Sequence, residues 1–328
     1  MKVFRGLPNA AARAPCALAI GNFDGVHLGH QVLLSRLRDA ASRLKLDAAV
    51  MTFEPHPRAF FAQMHGDISK APTRIANLRD NLNSLTNAGV DRVIVEHFSA
   101  HFASLSPQDF IQKVLVEGLH MKWLLVGEDF RYGAKRAGDI AMLIAAGKEA
   151  GFEVETVAAV QDKGTRISSS TVRAALAVGD FMQAKNLLGR HYFISGHVVH
   201  GQKLGRTLGY PTLNLRVAHH RPAVQGIFIV QVHGLAEQPL PGVASIGVRP
   251  TVDDSGRVLL ETHVFDYKGD AYGKVVQVEF LEKIRDEEKF IDLPTLTAAI
   301  HSDALLAREY FSKRTISANS PNSAKDRI

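Results

Sequence analysis

The feature that most constrains this chain is a change of hydrophobic rhythm near residue 188. Before it, short apolar runs alternate with longer amphipathic segments. Ala17–Ile20, Ala48–Phe53, Arg92–Val95, Trp123–Val126 and Glu153–Val157 read as strands. Leu28–Leu46, Thr73–Ala88, Ser106–Gly118 and Asp139–Ala150 read as helices between them. In the first helix Val32, Leu33, Leu37, Ala40, Ala41 and Leu44 recur at helical spacing. Strands alternating with helices of this length need crossover connections. They predict a mostly parallel α/β sheet covered on both faces across residues 1–187. Ligands of such sheets bind beyond the carboxyl ends of the strands.

After the change, β pattern and turns dominate. Tyr192–His200, Gly226–His233, Gly242–Val248, Val258–Asp266 and Lys274–Leu281 read as strands, punctuated by glycine and proline. Their spacing predicts a small antiparallel β-barrel over residues 188–313. A helix around Leu293–Phe311 closes it, with Leu296, Ile300, Ala304, Ala307 and Phe311 in one stripe. Residues 314–328 form a tail whose last dozen, Ser317–Ile328, lack an apolar period and are expected to be disordered.

A length of 328 residues suits two domains rather than one core. No apolar run is long enough for a transmembrane helix, and no apolar h-region precedes the first strand, so neither a membrane nor a secretory signal is expected. Cys16 is the single cysteine, which excludes an internal disulfide and a cysteine-built zinc site and fits a cytoplasmic location. Ahead of an apolar stretch, Cys16 reads as a strand residue rather than a nucleophile. The net charge of +6 is spread along the chain, with part of it in the tail, and does not by itself indicate nucleic acid.

The strongest chemical signal is Gly21-Asn22-Phe23-Asp24-Gly25-Val26-His27-Leu28-Gly29-His30, set between the first strand and the first helix. Glycines let the backbone approach a ligand, and a helix N-terminus offers free N–H groups to phosphate. His27 and His30, three apart, can face one ligand and stabilise charge developing on a transferred phosphate. Two surface histidines, or a metal pair, are the alternatives. The setting and the glycine-rich prefix resemble the HxGH signature of the nucleotidyltransferase superfamily. A second element, Ile167-Ser168-Ser169-Ser170-Thr171-Val172-Arg173, opens a later helix. Its hydroxyls can cap the helix or bind phosphate oxygens, and Arg173 adds a cationic donor.

Thr52-Phe53-Glu54-Pro55-His56-Pro57 and Val126-Gly127-Glu128-Asp129-Phe130-Arg131-Tyr132-Gly133 both follow strands, and Phe98–Phe110 contains FASLSPQDF. In this order the strings resemble the adenylyltransferase module of bacterial bifunctional riboflavin kinase/FAD synthetases. The resemblance implies a Rossmann-like nucleotidyltransferase domain. In it His27 and His30 serve the transfer. Gly21, Phe23, Asp24, Gly25, His56, Asp129, Ser168, Ser169, Ser170 and Arg173 hold ATP. Phe61 and Phe130 flank the flavin, although core packing explains both aromatics equally well.

The barrel portion carries Gly201-Gln202-Lys203-Leu204-Gly205-Arg206-Thr207-Leu208-Gly209-Tyr210-Pro211-Thr212-Leu213-Asn214. It is no P-loop, yet Gly201, Gly205, Lys203 and Arg206 form a basic stretch able to approach phosphates. Thr212 and Asn214, two apart on an extended strand, put both side-chain oxygens on one face, where they suit Mg²⁺ as hard ligands. Glu261, in Glu261-Thr262-His263-Val264-Phe265-Asp266, is a carboxylate able to accept a proton from a primary hydroxyl; alone it could be a strand-end charge. GRTLGYPTLN, IGVRPT, ETHVFD and GKVVQVEFLEKIRDEEKF resemble the riboflavin kinase module throughout. The resemblance implies Thr212 and Asn214 at Mg-ATP, Glu261 as base, and Arg285 with the Phe290 segment closing over flavin. Gly226-Ile227-Phe228 stands where the family commonly has Gly-Val-Tyr, which loses a phenol. Riboflavin, FMN and ATP are then the small-molecule partners, with neither nucleic acid nor membrane. The rival readings are a nucleotidyltransferase for another acceptor, and a regulator in which one site has decayed.

Overall fold

Cys16–Ile20 shows no polar alternation, and such a run is stable as a strand only where both faces are covered. The computed structural model describes residues 1–162, 164–201, 204–217, 221–248 and 258–318, and it buries all five of these residues. Burial also pushes the Cys16 thiol up to about 11, which leaves it a packed strand residue and a poor nucleophile. The chain divides into two units: Met1–Thr73 with Leu78–Thr171, and Arg74–Asn77 with Val172–Ile328.

The first unit runs β1 (Lys2–Arg5), β2 (Cys16–Ile20), α1 (Leu28–Leu44), β3 (Asp47–Glu54), α2 (Pro57–Met64), α3 (Leu78–Asn87) and β4 (Arg92–His97). It continues with the short α4 (Ala100–Ala103) and α5 (Pro107–Asp109), a π-helical stretch Phe110–Val116, β5 (Met121–Gly127), α6 (Ile140–Ala150) and β6 (Glu153–Val157). A two-residue hairpin, β7 (Gln161–Asp162) and β8 (Thr165–Arg166), leads into α7 (Ser169–Val178), within which the chain passes to the second unit. The sheet order is β1-β4-β3-β2-β5-β6, with every neighbouring pair parallel. One face packs on α1 through Leu33, Leu34, Leu37, Ala40 and Ala41, the other on Phe110, Ile111, Val114, Leu115 and Leu143. Strand order reverses at β2, whose neighbours are β3 on one side and β5 on the other. That reversal opens the crevice in which α/β sheets bind ligands.

Three local expectations change. On α1 the buried stripe includes Leu34, whereas Val32 and Leu44 are exposed. The predicted helix over Thr73–Ala88 begins only at Leu78. Arg74 instead donates its N–H to Arg221 O (2.8 Å) and accepts from Ala223 N–H (3.0 Å), a pairing incompatible with a helical turn. The Ser106–Gly118 helix is split into α5 and the π-helical stretch.

The second unit follows with α8 (Phe181–Leu188), β9 (Phe193–Val199), α9 (Leu204–Thr207), β10 (Leu213–Val217), β11 (Gly226–His233), β12 (Leu240–Val248), β13 (Val258–Val264), β14 (Val275–Arg285) and α10 (Leu293–Ala318). The strands close an antiparallel barrel in the order β10-β13-β12-β11-β14-β9. Leu260, Thr262 and Val264 alternate inward along β13, with Leu259, Glu261 and His263 on the outer face. Ala304 and Ala307, from the stripe read in the sequence, bury α10 against Ile229 and Phe265. That helix runs past Phe311 to Ala318; residues 319–328 of the expected tail lie outside the described residues.

Candidate active sites

The turn after β2 is tightly specified. Phe23, Gly25 and Val26 all take positive φ, of 47°, 83° and 41°. For a β-branched residue such as Val26 this is a strained conformation, and strain of this kind gathers at functional sites. Hydrogen bonds that hold the turn include Gly25 N–H to Asn81 Oδ1 (2.9 Å) and Thr52 Oγ1 to Asn22 O (3.0 Å). The turn delivers His27 to the N-cap of α1, where its Nδ1 accepts from His30 N–H at 3.3 Å. With Nδ1 accepting, a neutral His27 carries its proton on Nε2. The two imidazoles stack with centroids 3.7 Å apart, and Phe23 lies 5.0 Å from the His30 ring. Both predicted histidines thus share one place, at the positive end of a seventeen-residue helix.

The second predicted element meets the first. Ser169 Oγ donates to Asp24 O at 3.2 Å. A Cβ on Gly29 would lie 3.1 Å from both the His27 ring and Ile167 O, so this glycine allows the two turns to touch. Ser168 and Thr171 exchange reciprocal capping bonds, Thr171 N–H to Ser168 Oγ (3.2 Å) and Ser168 N–H to Thr171 Oγ1 (3.0 Å). Ser170 is exposed, and Arg173 lies four residues beyond Ser169 on the same face of α7.

His56, buried at the N-cap of α2, accepts from Arg58 N–H through Nδ1 (3.1 Å). Asp129, after β5, is exposed and pairs with Arg166 at 3.0 Å. Phe61 is 39% exposed and packs edge-on to Phe60 (5.4 Å) and Phe98 (5.8 Å). Phe130 stacks on Tyr132 at 5.7 Å. Between these ends, Phe98, Phe102, Phe110 and Tyr132 form a continuous line of ring contacts at 5.7, 6.1 and 5.3 Å. Phe61 and Phe130, expected beside the flavin, are the two ends of this line, and its inner rings lie in the Phe98–Phe110 and Val126–Gly133 motifs. The rest was signalled by aromatics recurring just after β4 and β5.

On the barrel, Asn214 and Glu261 are register partners across β10 and β13, and Glu261 is also the partner of Ser245 on β12. Thr212, Asn214, Glu261 and Ser245 therefore belong to one outer face of neighbouring strands. A Cβ on Gly201 would lie 2.5 Å from the Asn214 carboxamide, so the glycine makes room for it; Asn214 Nδ2 leans toward Thr212 O at 3.4 Å. Gly205 is equally constrained: its carbonyl accepts from Tyr210 N–H (2.7 Å), and a Cβ would strike Tyr210 O. Lys203 and the Arg249–Pro250–Thr251 part of IGVRPT lie outside the described residues.

Two of the cavities among the described residues lie beside Tyr210–Thr212, and Asn214, Glu261 and Ser245 line neither. One of about 530 Å³ is lined by Arg206, Thr212, Val264, Tyr267 and Tyr272 among others; the second, of about 370 Å³, by Tyr210, His263, Phe265, His301 and Arg308 among others. The tripeptide Tyr210–Thr212 separates them. Tyr210 OH bonds His301 Nδ1 (2.7 Å) and His263 Nδ1 bonds Pro211 O (2.9 Å). The Arg285 guanidinium forks onto Asp303, Nε to Oδ1 at 3.0 Å and Nη2 to Oδ2 at 2.7 Å, with Glu288 3.1 Å from Nη1. Its donors thus anchor α10 to the barrel.

The FAD synthetase family model matches residues 9–171 and the riboflavin kinase family model residues 188–311. The bifunctional riboflavin kinase/FMN adenylyltransferase of Escherichia coli K12 is 46% identical over 313 residues, 95% of this chain and 98% of that one. The chain belongs to this bifunctional family. The enzyme of the same name from Haemophilus influenzae is 44% identical, with 95% of this chain and 99% of that one covered. A crystallised protein of Streptococcus pneumoniae, named a macrolide-efflux protein, superposes with a TM-score of 0.70 at 29% identity, covering 93% of this chain and 98% of that one. Among the described residues no helix is long and apolar enough to cross a membrane. Residues 172–187, between the two family matches, pack with the second unit.

Proposed function

We propose that this chain makes FAD from riboflavin in two ATP-dependent steps, with phosphorylation on the barrel and adenylylation at the α/β sheet. The observation that carries the reading is that each family match coincides with a set of side chains suited to its reaction. On the barrel, Glu261 accepts the proton of the ribityl 5′-hydroxyl as its oxygen attacks the γ-phosphorus; ADP leaves and FMN forms. The larger cavity, with Arg206 and Thr212, suits the nucleotide. The smaller, walled by Tyr210, His263 and Phe265, suits the flavin ring, and each is large enough for a small molecule.

Mg²⁺ fits Thr212 and Asn214. Their oxygens are hard donors, and the Asn214 carboxamide fills the space that a Cβ on Gly201 would take. When bound, the cation neutralises phosphate charge.

At the sheet, an oxygen of the FMN phosphate attacks the α-phosphorus of ATP, and pyrophosphate leaves. No proton needs removing. The positive end of the α1 dipole, with His27 and His30, stabilises the charge on the transferring phosphate. Ser169, Ser170, Arg173, His56 and Asp129 hold ATP, and Phe61 and Phe130 lie on the flavin side. The use of ATP in both steps supports a cytoplasmic location. Incubation with riboflavin, ATP and Mg²⁺, followed chromatographically, yields FMN and then FAD; formation of neither product contradicts the reading.

A further inference from the structure

After β14 the chain runs from Asp286 to Asp292 before α10 begins. Arg285 fixes the root of this segment on Asp303, and Lys283 pairs with Asp286 at 2.6 Å. Both contacts anchor the segment at its start. Glu287 does something else: it reaches a different strand, 42 residues away in sequence, where Ser245 Oγ donates to its Oε1 at 3.1 Å. Its carboxylate occupies the space that a Cβ on Gly247 would take. Gly247 has no positive φ, so the backbone does not require glycine there; a Cβ would instead displace the exposed Glu287 carboxylate, the far end of a flexible side chain. Ser245 is the cross-strand partner of Glu261, and such partners hold their Cβ atoms about 5 Å apart on one face.

We propose that Glu287 is a positioning residue for riboflavin phosphorylation. Seated in the notch left by Gly247 and bonded to Ser245, it latches the Asp286–Asp292 segment beside Glu261, so that the segment is a fixed wall for the flavin. The proposal rests on the assignment of Glu261 as the base. The rest of the segment leans back on its own root, with Glu288 3.1 Å from Arg285 Nη1 and Phe290 5.7 Å from the guanidinium, and Ile291 is 93% exposed, so the bond to Ser245 is what carries the segment across to β12. Without the latch, flavin must order the segment as it binds, and that cost falls on riboflavin affinity rather than on ATP.

The test uses the full chain and measures KM for riboflavin, KM for ATP and kcat of FMN formation, with the thermal midpoint as a control. E287A and G247A perturb the same contact from opposite sides. Each is expected to raise the riboflavin KM about tenfold, the scale of one hydrogen bond to a charged group, with ATP KM and kcat within about twofold. E287Q, which still accepts from Ser245, is expected to recover most of the affinity. The double variant is expected to be no worse than E287A, because a Cβ on Gly247 displaces nothing once the carboxylate is gone. Unchanged riboflavin KM in E287A, multiplying effects in the double variant, or an equal rise in both KM values would overturn the latch. E261Q, run alongside, separates the two claims: FMN formation at the normal rate in E261Q overturns the assignment of the base itself.

Discussion

At the residue scale, His27 shows how closely structure and chemistry are tied. It caps α1 through Nδ1, stacks on His30, and lies under a glycine that cannot gain a methyl group without pressing on its ring. Gly29→Ala is therefore expected to lower FMN adenylylation by about 10–100-fold, the scale of a misplaced catalytic group, while riboflavin phosphorylation stays unchanged. Measuring the two reactions separately in one preparation checks this. Glu96, at the carboxyl end of β4, makes a stability prediction. Burial raises its pKa above the ordinary carboxylate value, and its Oε2 is buried without a hydrogen-bond partner. The folded state therefore holds this proton more tightly than the unfolded state. Its contribution favours folding below the unfolded value and is lost as pH rises through the raised one. Glu96→Gln is expected to stabilise the protein at pH 7 and to do little near pH 4, as read by denaturant midpoints at the two pH values.

At the scale of elements, β14 and α10 are tied by a forked ion pair whose acid, Asp303, is 4% exposed, beside the packing of Leu281 and Ile284 on the Ala304–Ala307 cluster. Removing one partner of a buried pair leaves the other charge uncompensated. Asp303→Ala is expected to cost about 2–3 kcal/mol, less than for a fully buried pair because Arg285 is partly exposed, and to loosen α10 in hydrogen exchange. Elements were legible where burial imposed a pattern. Cys16–Ile20 and Asp47–Glu54 are strands because they are apolar on both faces, and the α10 stripe follows from its helical period. Others gave no such signal. β1 is an edge strand with Lys2, Val3 and Arg5 exposed, and α2 is a short helix set by the His56 cap and Pro57. Residues 74–77 are taken from a helical pattern by pairing with residues near 222, a contact no local period can announce.

At the scale of the molecule, the residues proposed for the two reactions fall, Arg173 apart, on different units: a strained turn at the sheet reversal, and a strand face on a closed barrel. The change of hydrophobic rhythm near residue 188 signals two units, and the motifs of the two reactions fall on either side of it. What the sequence left hidden are contacts between residues far apart in the chain: the aromatic line from Phe61 to Phe130, the Ser169–Asp24 bond, and Glu287 on Gly247. The central claim is that the two sites work independently. The most direct test follows FMN and FAD by chromatography in full-length E261Q and H30A. E261Q is expected to lose FMN formation and keep FMN-to-FAD conversion. H30A is expected to form FMN normally and to lose about 10²–10³-fold in adenylylation. Loss of both activities in either folded variant would contradict two independent sites.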